Sequence, residues 1–143
     1  MGSNRSDETY CSIAEIAPLI EQGDLSPVDV VQSSLDRISQ LDPTLNAFLQ
    51  VWGEEALESA RTAEQTIASG GYLGPLHGIP VGIKDLVDVA GYKTTGGSKV
   101  FENSVAALDA TVVTKLKSAG AIPIGKLNLN EFALGTTGLN SHT

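Results

Sequence analysis

The sequence is short of most of the residues that would assign a function by themselves. It has one cysteine, Cys11, so an internal disulfide is excluded and nothing demands an oxidising compartment. It has two histidines, His77 and His142, and no Cys-x-x-Cys pair, so no ligand spacing points to zinc. Lys and Arg number 9 against 17 Asp and Glu, a formal charge of −8, which argues against direct nucleic-acid binding. No apolar run reaches the roughly 18 residues of a membrane span, and no basic start leads into an apolar stretch. The expectation is a cytoplasmic protein with no membrane partner.

What is present is globular in character. The 143 residues are 41% hydrophobic and 18% charged, with 15 glycines and no repeat. A chain of this length buries roughly two-thirds of its unfolded surface, enough for a core. The acidity is confined to one half. Residues 1–70 hold 3 Lys and Arg against 12 Asp and Glu, whereas residues 71–143 hold 6 against 5. The acidic half reads as solvated helix surfaces.

Residues 1–9 are polar and predicted to be disordered. Residues 10–70 form a helical lead-in. Ile13, Ile16, Ala17 and Ile20 share one face of a helix over 12–21, closed by Gly23. Ser26 can cap and Pro27 can start a second helix, whose Val28, Val31, Leu35, Ile38 and Leu41 recur at helical spacing until Asp42-Pro43 stops it. A third, over 54–69, turns Leu57, Ala60, Ala63 and Ile67 inward. From Gly71 the chain is glycine-rich and β-branched. Ile79–Ile83 and Leu86–Val89 read as strand pieces interrupted at Lys84-Asp85. Asp109 caps a helix that Gly120 ends, Ala121–Gly125 follows as a buried strand, and Asn128 with Glu131 resembles a capping box. Helices followed by strand–helix–strand alternation predict an α/β fold.

Three motifs invite chemistry. Gly120-Ala-Ile-Pro-Ile-Gly125-Lys126 has the spacing of a phosphate-binding loop, but Leu127 stands where Ser or Thr would reach magnesium, and the apolar filling suits a strand. Gly96-Gly97-Ser98 and Gly135-Thr-Thr-Gly138 could bring backbone close to a ligand, yet glycine pairs in loops are commonly plain turns. Lys84 stands out, with Gly-Ile-Pro-Val-Gly-Ile before it and Asp-Leu-Val-Asp-Val after it. A lysine in apolar surroundings loses hydration, which favours the neutral amine. Bringing its pKa from about 10.4 to near 7 costs roughly 4 kcal/mol and yields a general base. The alternative is a lysine paired with Asp85 or Asp88, its stem packed and its head in water.

These residues belong to a longer pattern: Leu76-His-Gly-Ile-Pro-Val-Gly-Ile-Lys84-Asp85, Thr94-Thr95, Ala110-Thr-Val-Val-Thr-Lys-Leu-Lys-Ser-Ala-Gly120-Ala-Ile-Pro-Ile-Gly-Lys-Leu-Asn128 and Glu131-Phe-Ala-Leu-Gly135. In order and spacing the pattern closely resembles the amidase signature family, from about residue 10 onward. The resemblance implies an α/β fold with helices packed around a mixed sheet, of which residues 10–143 are the N-terminal segment. It also implies hydrolysis of amide bonds, extending to carbamates or esters, with no cofactor. Lys84 occupies the position of the base in a Ser–cis-Ser–Lys triad, in which one serine relays a proton and the other forms an acyl-enzyme. Thr136, Thr137 and Gly138 fall in the stretch near the acyl pocket, as substrate-side residues. The glycine- and serine-rich signature with both serines is not among these residues. The partners implied are therefore a small-molecule amide and the serine-bearing remainder of the amidase, with oligomerisation left open. The isolated chain is expected to be inactive. Two alternatives stand beside this reading. One is the A subunit of the tRNA-dependent amidotransferase, which shares Lys-Leu-Asn-x-x-Glu-Phe-Ala. The other is a non-catalytic fragment that caps another chain.

Overall fold

A computed structural model describes residues 11–136. The first helix, α1 (Ile13–Gln22), starts at Ser12, whose N–H and hydroxyl both donate to the Glu15 carboxylate. It ends at Gly23, left-handed at φ +78°. Helix α2 (Pro27–Leu45) is capped by Ser26, whose hydroxyl accepts the Val28 N–H at 3.0 Å and donates to Glu64 on the next helix. Contrary to expectation, α2 runs through Asp42-Pro43. Pro43 lies in the last turn and forfeits one helical N–H, and Asn46 ends the helix in a left-handed conformation. The Asp42 carboxylate then accepts from the Ala47 and Phe48 N–H groups, turning the chain into a strand that the sequence pattern does not predict, β1 (Phe48–Val51).

Helix α3 (Gly53–Ala68) buries Ala56, Ala60 and Ala63. With only methyl groups on that stripe, α3 lies close against α2 and the sheet. Strand β2 (Pro80–Lys84) follows. Leu86–Val89 is a turn rather than a strand. Helix α4 (Thr111–Ser118) is preceded by Ala110, not capped by Asp109, whose carboxylate instead holds the Ala90 N–H and the Lys117 ammonium. Strand β3 (Ile122–Leu127) leads to a single 3-10 turn, Glu131–Ala133. The expected Asn128–Glu131 box does not form: the Asn128 side chain donates to the Asn46 carbonyl and accepts the Leu129 N–H, while Glu131 accepts the Ser98 hydroxyl.

The sheet has the order β1-β3-β2, with β1 antiparallel and β2 parallel to the central β3. It is mixed and helix-covered, so the fold is α/β as the sequence predicts. One face carries Ile122 and Ile124 against Val31, Ala56, Ala60 and Ala63 of α2 and α3. The other carries Ile83 against Trp52, Val89 and Val113 of α4. A third cluster joins Ile16, Ile20, Val30 and Ile79 beneath α1. One irregularity bears on the site: Val81 pairs with Pro123 but Gly82 with Gly125, so Ile124 is an extra residue in β3. This bulge reverses the alternation along β3. Lys126 thereby pairs with Ile83 and turns away from the face that Ile122 and Ile124 fill.

Candidate active site

Lys84 is the last residue of β2, at the edge of the sheet, and it is exposed. The expectation of a buried Lys84 is therefore corrected within residues 11–136. Strand alternation places Ile83 in the core and sends Lys84 outward.

The buried lysine is Lys126. It is 0% exposed, the largest side chain so enclosed among the described residues. Its ammonium has three N–H donors and meets three acceptors: the Val87 carbonyl at 2.6 Å, the Thr94 hydroxyl at 2.9 Å and Asp85 Oδ1 at 3.4 Å. Burial draws its pKa below the ordinary lysine value, and the Asp85 charge opposes that shift. A complete acceptor set that includes a carboxylate is the environment of an ammonium ion, not of a free amine.

Asp85, itself 1% exposed, is the hub of the region. Its Oδ2 accepts the N–H and hydroxyl of Thr95, its carbonyl accepts the Gly96 N–H at 2.9 Å, and its own N–H donates to the Leu127 carbonyl at 3.1 Å. Gly96 and Gly97 then adopt left-handed φ values of +62° and +68°, which only glycine takes without strain. A Cβ on Gly97 would also stand 2.9 Å from the Leu129 carbonyl. Ser98 is fully buried, donating to Glu131 at 2.6 Å and accepting the Val100 N–H. The Phe132 N–H donates to the Gly96 carbonyl at 2.7 Å.

Three sequence-distant pieces are thus tied together: the turn after Lys84, the Thr94–Ser98 loop and the turn at 131–133. Leu86, Phe101 and Phe132 form an exposed apolar rim around them, with the two phenylalanine rings edge to face at 6.0 Å. Thr136 is exposed, whereas Thr137 and Gly138 lie outside the described residues. His77 stands apart, buried between the 71–78 loop and Gly120, where its Nδ1 accepts the Leu73 N–H. Among the described residues no group of three or more His, Cys, Asp or Glu could hold a metal ion, and no helix is long and apolar enough to cross a membrane.

The sequence offers Lys126 only as the lysine of an unsuitable phosphate-loop spacing and Asp85 only as a partner for Lys84, and does not predict that the two pair with each other. The available signal is a lysine inside an otherwise apolar buried strand, with Thr94-Thr95 and Asp85 able to satisfy it.

Comparison with known proteins identifies the family of the chain. The family profile described as Amidase matches residues 29–143, and the chain belongs to that family. In the glutamyl-tRNA(Gln) amidotransferase of Salinispora tropica, the A subunit is 43% identical over 132 residues, covering 92% of this chain and 27% of the relative. The same subunit of the Prochlorococcus marinus enzyme is 48% identical over 118 residues, covering 82% and 24%. Among solved structures, a chain of a vestigial complex connected with the origins of an s-triazine catabolic enzyme superposes with a TM-score of 0.86 at 38% identity, covering 92% of this chain and 29% of that one. The native peptide amidase of Stenotrophomonas maltophilia gives 0.79 at 32% identity, covering 86% and 26%. The chain thus spans about a quarter of the length of the relatives and structures it matches.

Proposed function

We propose that residues 10–143 are the N-terminal segment of an amidase domain and contribute Lys84 as the base of a Ser–cis-Ser–Lys triad. The two serines are supplied by sequence outside these residues. Lys84 takes a proton through the bridging serine as the second serine attacks an amide carbonyl. The C–N bond breaks, the amine leaves with that proton, and water then cleaves the acyl-enzyme to the carboxylic acid and the free serine. The observation that carries this reading is the placement of Lys84. Its side chain is exposed at a sheet edge, makes no hydrogen bond or ion pair with the described residues, and stands on a main chain fixed by Asp85. A proton acceptor must be able to approach its serine partner, and Lys84, unlike Lys126, can. Lys84 is desolvated, on this reading, by the serine-bearing part of the domain that closes over the β2 edge. Thr136, Thr137 and Gly138 line the substrate side.

The test is Lys84→Ala in the full-length protein carrying this segment. Amide hydrolysis is expected to fall by roughly 10²–10⁴-fold with the fold intact. Activity within tenfold of the parent would overturn the assignment. The 143-residue polypeptide alone is expected to show no triad-dependent hydrolysis.

A second reading is favoured by the curated relatives, which are amidotransferase A subunits. In it the same acyl chemistry releases ammonia from an amide donor for transfer to a glutamyl-tRNA, and further subunits of the complex are required. Glutamine hydrolysis stimulated by co-purifying subunits separates the two readings.

A further inference from the structure

Lys126 is a buried cation that the proposed chemistry does not use. Its side chain cannot reach a substrate, because it is enclosed and its three donors are already committed. The objects it holds are telling. The Val87 carbonyl that takes its shortest hydrogen bond belongs to the residue whose N–H closes the turn onto the Lys84 carbonyl at 2.9 Å. Asp85, its ionic partner, directly follows Lys84 and anchors Thr95 through the carboxylate and Gly96 through the carbonyl. Thr94, its third acceptor, opens the glycine loop. A buried ion pair replaced by well-packed apolar groups is often no loss to stability, so stability alone gives little reason for such a pair. Geometry gives a better one.

We infer that the buried Lys126–Asp85 pair, with Thr94, positions the site, fixing the main chain of Lys84 and the Thr94–Ser98 loop relative to each other. The inference rests on the reading of Lys84 as the base. Neither residue touches substrate; both act through the backbone they hold. If the clamp is loosened, Lys84 drifts from its serine partner, and a displacement of about 1 Å is enough to cost up to 10²-fold in rate.

The test compares Asp85→Asn, Lys126→Met, the double variant and Thr94→Val in the full-length protein carrying this segment, with Lys84→Ala as reference. Active-site titration normalises each rate to the folded fraction, so a merely structural role would leave kcat per titrated site unchanged. The expected result is a loss of about 10–100-fold in kcat for Asp85→Asn and Lys126→Met, with KM within threefold. The double variant should be no worse than the more damaged single one, because the two residues act as one unit. Thr94→Val, which removes one acceptor and leaves the ion pair, is expected to lose about three- to tenfold and decides the matter if the charge variants do not fold. Equal kcat per site in the folded variants, or independent multiplicative losses, would overturn the inference while leaving Lys84 as base. Full activity in Lys84→Ala would overturn both.

Discussion

Two glycines close helices with almost the same backbone angle but in different surroundings, and the pair separates strain from collision. Gly23 has φ +78° and open space around an added Cβ, whereas Gly120 has φ +82° and would drive that Cβ into the His77 ring at Cδ2. Gly23→Ala should cost about 1–2 kcal/mol, the left-handed penalty alone. Gly120→Ala should cost about 1–3 kcal/mol more, because the buried ring cannot retreat freely. Urea denaturation of the two variants checks the difference. His77 itself carries a pH dependence. Burial lowers its pKa from the ordinary 6.5. The unfolded chain therefore binds more protons than the folded one as pH falls through about 6.5, and stability falls with it. Urea midpoints should decline from pH 7.5 to 5.5 in the parent and decline less in His77→Gln; an identical decline in both would show that the imidazole does not contribute.

The two lysines mark how far residue-level reading goes. That a lysine set in an apolar run is unusual was legible, and so was its neighbour Asp85. Which lysine would be buried was not. Lys84 sits in a run that alternates, and the alternation itself puts it outside. Lys126 sits in a run whose parity is changed by the Ile124 bulge, and no local composition signals that bulge.

At the scale of elements, termini and periodicities were legible where a side chain enforces them locally. Ser12, Gly23, Ser26-Pro27 and Gly120 each stand at or beside a helix end. The Ser26 cap also reaches Glu64 on α3, so one hydroxyl serves two helices. Ser26→Ala should lower stability by about 1 kcal/mol, measurable as a shift in the thermal midpoint; no shift would mean that water replaces both bonds at no cost. The failures were tertiary in origin. Pro43 does not stop α2, because a proline in the final turn loses little and Asp42 recovers the following N–H groups. Strand β1 escaped notice because Phe48–Val51 is only four residues long and owes its strand geometry to β3. Asn128 and Glu131 have capping-box spacing, but the Asn46 carbonyl and Ser98 outcompete the local pairing.

For the whole molecule, the α/β class and the helical first half followed from composition and periodicity, and family membership followed from motif order. The site was legible only in part, since its geometry depends on three segments spread over residues 84–133 that meet through buried hydrogen bonds. The acidic half supplies α1–α3, which carry the surplus of carboxylates, while Lys84, Lys126 and the glycine loop lie around the β2–β3 pair.

The strand order β1-β3-β2 has a consequence for biogenesis. The strand at the centre of the sheet is the last of the three to be synthesised, so β1 and β2 have no sheet partner until Ile122–Leu127 has emerged. At about 5–20 residues per second, the interval from the end of β2 to the end of β3 lasts roughly 2–9 s. During it α1–α3 can already assemble, with Val31 against the alanine stripe, but the part of that stripe that Ile122 and Ile124 later cover stays open, so this nascent intermediate exposes apolar surface that the finished sheet buries.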